Sequence, residues 1–166
     1  MQRRTFLYLA ASAVLPSTLF GYARPVRIYT PSLQTIALIY RDLCEGSELA
    51  LIFNNINILG YLQGVLEDSW LSLEHKDFIK QGALWLDEDA KAATSKVYSH
   101  QDMLKRQQIL RDFSKTPYGY RWLATLYGYF FEAMLCDPVY GGNIDAVGWH
   151  YLKHTGGMPR PSKALV

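Results

Sequence analysis

Two histidines near the end of the chain have the spacing of a metal-binding pair. His150 and His154 stand four residues apart, which on a helix would place both imidazoles on one face. The zinc-peptidase pattern also requires a carboxylate between the histidines, and none is present here. Gly156 and Gly157 follow closely and weaken a helix at this point. The sequence therefore favours packing or a partner contact for these histidines over a metal site.

Other reactive side chains do not form a recognisable site. Asp87 to Asp89 are consecutive acidic residues, and consecutive residues on a helix do not face one another, so a solvated face is favoured over a metal site. Cys44 and Cys136 would be able to pair in an oxidising compartment. Two free buried thiols are favoured, because free cysteine behaves as a small core residue.

Cofactor and nucleophile motifs are missing from the sequence. Dinucleotides are usually held by a Gly-x-Gly-x-x-Gly turn between a strand and a helix, and neither the turn nor the strands are present. Two isolated cysteines cannot supply the Cys-x-x-Cys-His of covalent haem or the clustered thiolates of an iron-sulfur centre. No Gly-x-Ser-x-Gly elbow occurs. The sequence predicts no catalytic residue and no bound cofactor or metal in this chain.

Composition narrows the class of protein. The chain has 166 residues, of which 49% are apolar and 14% aromatic, and this mixture argues against an intrinsically disordered protein. Its 12 tyrosines and 4 tryptophans suit either a partner surface or a Tyr-rich core. A net charge of +2, without a Lys/Arg run longer than a pair, argues against nucleic acid as a partner.

The first residues have the pattern of an export signal. An arginine pair is followed by Phe-Leu and by an uncharged, largely apolar run from Thr5 to Ala23. The twin-arginine residues are Arg3, Arg4, Phe6 and Leu7. Gly21 and Ala23 are small residues at the two positions that a signal peptidase inspects, which permits cleavage after Ala23, while the length of the run also permits an uncleaved membrane anchor. The arginine pair is also compatible with the positive flank of a general secretory signal, and each of these alternatives places residues 24–166 outside the cytoplasm.

Helical periodicity dominates the rest of the chain. Apolar residues recur every three or four positions from Pro31 to near Glu45, and the stretch from Leu49 to Leu66 predicts two short helices with an Asn-rich joint. An amphipathic surface helix is predicted to follow Ser72. No strand-like alternation of useful length occurs between Pro31 and Leu135. The fold class predicted is all-α, with a signal segment over residues 1–23 and one small helical domain over residues 24–166.

Two further helices are predicted before the C-terminal stretch. Ser99, with Asp102 three residues later, resembles a capping box and predicts a helix start. Thr116 as the cap and Pro117 at the first helical position predict a helix through Leu135. Because this last helix is apolar around most of its girth, it is predicted to be central and buried on several sides.

The stretch after this helix carries a resemblance to a known family. Residues 136–157 are rich in glycine and aromatic side chains, and a Pro-Arg-Pro tail follows. This C-terminal loop and tail resemble the signature of the gluconate 2-dehydrogenase subunit 3 family, and the twin-arginine signal helix agrees with it. The matching positions are Asp137, Pro138, Tyr140, Gly141, Gly142, Asn143, Gly148 and Trp149. Ile144 and His150 depart from the family pattern, in which Arg and Lys are common at these positions.

The resemblance implies a periplasmic complex associated with the inner membrane. In such a complex a large flavoprotein carries FAD, a cytochrome c subunit carries haem c, and the small subunit takes the flavoprotein through the twin-arginine translocase. The matching residues would then form the partner interface, with Tyr140 and Trp149 as anchors. An alternative is that residues 141–143 form an internal turn and Trp149 caps this domain's own core. Another is an independent membrane-tethered binding or assembly protein.

Overall fold

The computed structural model describes residues 31–158, and within this range the chain is helical, without a strand. In chain order the helices are α1 (Pro31–Cys44), α2 (Ala50–Phe53), α3 (Ile58–Glu67), α4 (Leu73–Thr94), α5 (Met103–Phe113), α6 (Pro117–Leu135) and α7 (Val147–Leu152). Short 3-10 turns occupy Tyr98–His100, Pro138–Tyr140 and Ile144–Ala146. The all-α prediction is confirmed for this range. The twin-arginine residues, the possible cleavage site after Ala23 and the Pro-Arg-Pro tail lie outside it.

Side-chain caps fix where most of the helices begin. The Thr116 hydroxyl accepts a hydrogen bond from the Gly119 amide at 3.0 Å, and Pro117 occupies the first turn of α6 as predicted. The helix start predicted at Ser99 is wrong. Asp102 caps α5 instead, because its carboxylate accepts from the Lys105 amide at 2.9 Å, and Ser99 lies in a 3-10 turn. Helix α5 therefore begins three residues after the capping box predicts.

Helix α4, which the sequence predicts as an amphipathic surface helix after Ser72, has a more central position than that prediction implies. It packs against α1, α5 and α6, and its inner face buries Ile79, Ala83 and Leu86. From α6 the Trp122 indole donates a hydrogen bond to the Ile79 carbonyl at 2.9 Å, so the two longest helices are joined by a polar contact inside the core. The core is consequently shared between α4 and α6.

The prediction that α6 is buried on several sides is wrong for one face of the helix. Its inner face is buried through Trp122, Leu126 and Phe130. Tyr127 and Phe131, which lie on another side of the same helix, are exposed. Apolar composition around a helix thus does not distinguish buried positions from exposed ones.

A buried polar cluster joins α1 to α5 and to the 3-10 turn before α5. The Arg106 guanidinium donates to both carboxylate oxygens of Asp42, at 2.6 and 2.8 Å, and the Tyr98 hydroxyl donates to Asp42 at 2.6 Å. Arg106 also donates to the Gln101 carbonyl at 2.8 Å. Both oxygens of the Asp42 carboxylate therefore accept hydrogen bonds, as burial of a charge requires.

Burial raises the pKa of three tyrosines, which favours their protonated form. Burial raises the pKa of Tyr40, whose hydroxyl donates to the Leu126 carbonyl, and the pKa of Tyr98 is raised by burial and then by its hydrogen bond to Asp42. Burial, followed by the neighbouring Glu132, raises the pKa of Tyr61 to about 12.

We expect the free energy of unfolding to fall as the pH rises above about 10. Below that pH the tyrosines are protonated in both states, so their contribution to stability is fully present. Above it the unfolded chain loses these protons first, because the pKa of each tyrosine is higher in the folded protein. Urea unfolding at about pH 8 and about pH 11 measures the loss. Tyr40→Phe should lose less between the two pH values than the native chain, and an equal loss would contradict the assignment to Tyr40.

Among residues 31–158, no helix is both long enough and apolar enough to span a membrane. The uncharged run from Thr5 to Ala23 lies outside this range.

Candidate functional site

The C-terminal segment, residues 136–157, folds back on the end of α6. Asp137 begins the turn by accepting a hydrogen bond from the Val139 amide at 3.0 Å. Gly141 ends the turn with φ of 75°, a left-handed conformation that favours glycine. The chain then reverses toward its own core.

Asn143 holds the two ends of this segment together. It is completely buried, and its amide nitrogen donates to the Cys136 carbonyl at 3.1 Å while its carbonyl oxygen accepts from the Gly148 amide at 2.8 Å. One side chain therefore links the start of the segment to α7. The loss of either hydrogen bond would leave a buried polar group without its partner.

The Asn-rich joint between α2 and α3 binds the same segment. The Asn57 amide donates to the Gly142 carbonyl at 2.8 Å, and the Asn57 side chain donates to the Gly141 carbonyl at 3.1 Å. Ile56 and Asn143 form an isolated antiparallel bridge next to these bonds. The irregular joint thus supplies backbone and side-chain partners that a continuous helix would not offer.

Trp149 fixes α7 against α6. Its indole nitrogen donates to the Leu135 carbonyl at 2.7 Å, and only 8% of the residue is exposed. The preceding residue must be small, because a Cβ at Gly148 would overlap the Met134 carbonyl oxygen. Trp149 therefore closes the exposed end of α6, where carbonyl groups lack helical partners.

The eight residues of the predicted partner interface are brought into one segment, but they differ in exposure. The four buried members pack inside this chain and shape the segment; they are Gly142, Asn143, Gly148 and Trp149. Asp137, Pro138 and Gly141 are half-buried, and Tyr140 is 49% exposed. Tyr140 is thus the large side chain of this set that is available to a partner.

The two C-terminal histidines do not share a helix. Helix α7 ends at Leu152, and Lys153 takes φ of 55°, so the four-residue spacing does not place His150 and His154 on one helical face. The His154 ring instead meets the Trp149 ring edge-on, with 5.4 Å between centroids. Within residues 31–158 no three His, Cys, Asp or Glu side chains form a group able to hold a metal.

Both cysteines are free thiols. Cys44 is buried and Cys136 is half-buried, and burial raises the pKa of each thiol. The Cys136 thiol donates to the Ala133 carbonyl at 3.3 Å. The interpretation of two free thiols is the one the structure bears out, and neither has the lowered pKa of a reactive cysteine.

Helix α6 carries a continuous exposed face beside the C-terminal segment. We call it the α6 outer face, and its members are Tyr120, Ala124, Tyr127, Phe131 and Leu135, at intervals of three and four residues. Only Arg121 and Glu132 are charged in the whole helix. A face of large rings with so few charges is unusual on a solvated helix and is typical of an interface.

A groove of about 770 Å³ runs beside this face. Helices α5 and α6 both pack against α4, and the groove is lined by α5, α6 and the end of α1. Leu43, Leu110 and Leu123 supply apolar lining, Tyr120 and Tyr127 supply aromatic lining, and Arg111 supplies a cation. Gln107 and Ser114 add polar groups to the lining, so the groove combines apolar, aromatic and polar surface.

Comparisons with protein-family models, curated proteins and solved structures find no match to this chain. The function of this chain is therefore inferred from its sequence motifs and from the surfaces described above.

Sequence reasoning missed the groove and the buried polar cluster. The outer face was within reach of the sequence, since Tyr120, Tyr127 and Phe131 share a helical face distinct from that of Trp122, Leu126 and Phe130. Asp42 gave a weaker signal as a charged residue between the apolar Ile39 and Leu43 of α1. Its partner Arg106 lies 64 residues away and gave none.

Proposed function

We propose that this chain is a non-catalytic small subunit of a periplasmic, membrane-associated, flavin-dependent dehydrogenase complex of the gluconate 2-dehydrogenase type. It is needed for the export and maturation of the FAD-bearing large subunit. FAD and haem c belong to the flavoprotein and cytochrome c partners, and this chain contributes binding surfaces. The substrate site lies in another chain of the complex.

The α6 outer face is the observation that carries this proposal. Tyr127 and Phe131 are exposed on a helix that also ends at the Gly/aromatic segment, and a contiguous exposed apolar face is typical of a surface that a partner covers. A large partner that covered both would bury the rings of α6 together with Tyr140. The twin-arginine pattern of Arg3 and Arg4 supports export of a folded complex.

Purification of the tagged full chain from the periplasmic membrane fraction tests the proposal. A complex that contains a large flavoprotein and a cytochrome, with the absorbance spectra of flavin and haem, is the expected result. A colourless lone chain would contradict it and would favour the independent membrane-tethered binding protein.

Replacing Phe131 with aspartate should reduce recovery of the flavoprotein about tenfold or more, because a charge would enter the apolar contact. Leu84→Asp is a matched control, since Leu84 is 46% exposed on α4 and Phe131 is 43% exposed. Flavin absorbance per mole of tagged chain gives the recovery, and thermal unfolding shows whether each variant is folded. Equal recovery of flavoprotein with the two folded variants would exclude the α6 outer face as the docking surface.

A further inference from the structure

The loop between α3 and α4 presents a tryptophan to solvent. Trp70 is 94% exposed, the highest value among the large apolar side chains of residues 31–158. Leu73, in the first turn of α4, is also strongly exposed. Tryptophan has a large apolar surface and is enriched among the residues that dominate binding energy at interfaces. A side chain of this kind at a loop tip is therefore a candidate anchor.

The backbone on both sides of Trp70 is held in place. The Trp70 amide donates to the Asp68 carboxylate at 2.9 Å, which fixes the entry to the loop. The Ser72 hydroxyl accepts from the His75 amide at 3.2 Å and caps α4, which fixes the exit. Leu71 packs against the core between them. The loop is consequently ordered before any partner binds, which reduces the entropy lost on association.

The chain segment that contains Trp70 carries a net negative charge. Residues 67–77 contain four carboxylates and one lysine, a formal charge of −3, although the whole chain has a net charge of +2. The four carboxylates, all exposed, belong to Glu67, Asp68, Glu74 and Asp77. We call these four residues the acidic collar. A positively charged surface would be attracted to the acidic collar, and a negatively charged surface would be repelled by it.

We propose that Trp70 is the anchor of a second docking site, which binds a protein that has an apolar pocket rimmed by Lys and Arg. The tryptophan and Leu73 enter the pocket, and the acidic collar faces the basic rim. A membrane surface is disfavoured as the occupant, because anionic headgroups repel the collar. This site goes beyond the proposed function, since it lies on a different loop from the α6 outer face and does not require the partner to be a flavoprotein.

Photo-crosslinking in the cells that produce the protein tests this site. A benzophenone amino acid is placed at position 70 of the full chain, and a second chain carries it at Leu51, which is 81% exposed on α2. We expect one protein adduct from position 70 that is absent from position 51. The crosslinked peptide should lie beside an apolar pocket with Lys or Arg at its rim. No protein adduct, or an adduct at an acidic surface, would overturn the proposal.

Affinity measurements on the crosslinked protein, once purified, separate a docking site from a chance neighbour. Trp70→Ala should weaken binding about 30-fold, and Asp77→Lys should weaken it and reduce its dependence on salt. Both variants should unfold at nearly the native temperature, because the two side chains are exposed. Unchanged affinity for Trp70→Ala would overturn the proposal even if Phe131→Asp abolishes flavoprotein recovery. If Trp70→Ala weakens binding but no flavoprotein is recovered with the native chain, the second site would stand and the proposed function would fail.

Vesicles of phosphatidylethanolamine and phosphatidylglycerol provide the membrane arm of the test. The fluorescence attributable to Trp70, taken as the difference between the native chain and Trp70→Phe, should not shift to shorter wavelength when vesicles are added. A blue shift, or a lipid adduct from position 70, would identify the membrane as the occupant and overturn the protein-docking proposal.

Discussion

Replacing Asp42 with alanine is expected to lower the free energy of unfolding by about 3–5 kcal/mol. The substitution would leave the buried Arg106 guanidinium without its carboxylate, and the Tyr98 hydroxyl would lose its acceptor. A buried charge that has lost its partner keeps its desolvation cost and loses the attraction that offset it. Urea unfolding of the purified chain, followed by circular dichroism, measures the change.

Asp112 provides the matched control for this substitution. Its carboxylate accepts from the Lys115 ammonium at 2.8 Å, but both side chains are exposed, so Asp112→Ala should change stability little. The double variant Asp42→Leu with Arg106→Met should recover much of the loss, because no unpaired charge remains. If Asp42→Ala destabilised the chain no more than Asp112→Ala does, the buried cluster would not be a major source of stability.

Helix positions were largely predictable because the signals that start helices are local. Thr116 and Pro117 act within one turn of the chain, so the sequence alone located the beginning of α6. Ser99 and Asp102 offered two caps three residues apart, and local rules could not choose between them. The hydrogen bond between the Tyr98 amide and the Asp87 carboxylate, at 2.9 Å, holds the earlier turn against α4 and belongs to tertiary structure.

Exposure was less predictable than helicity. Apolar residues surround most of α6, and they form a buried face on one side and an exposed face on the other. On both faces the residues recur every three or four positions. The rings of Trp122 and Phe131 look alike in the sequence, yet one is buried and the other is not. The spacing separates the two faces, and the packing of α6 against α3 and α4 shows which of them is the core.

The C-terminal segment shows the same limit of local reasoning. Its glycines and aromatic residues predicted an unusual backbone, but the same residue types serve a partner surface and an internal turn. Asn143 and Gly148 turn out to bond with each other, and Gly142 bonds with Asn57 of a distant joint. A partner that recognises this segment would therefore contact a surface whose shape depends on these internal hydrogen bonds.

Replacing Trp149 with alanine is expected to lower the free energy of unfolding by about 3–5 kcal/mol, because a large buried ring is removed and a cavity remains. The same change would leave the Leu135 carbonyl, now bonded to the indole at 2.7 Å, without this donor. Thermal and urea unfolding of the isolated chain measure the loss. Trp149→Phe, which keeps a ring but not the indole nitrogen, should cost less.

Tyr140→Ala is the control that separates folding from partner binding at this segment. Tyr140 is 49% exposed, so its removal should change unfolding little while lowering flavoprotein recovery about tenfold if it is an anchor. Trp149→Ala should also lower the recovery of the flavoprotein, but only in proportion to the fraction of the chain that is unfolded. A Trp149→Ala chain that kept its native unfolding curve and still lost the flavoprotein would reverse this assignment. Trp149 would then be a direct contact, and the segment would have to open when the partner binds.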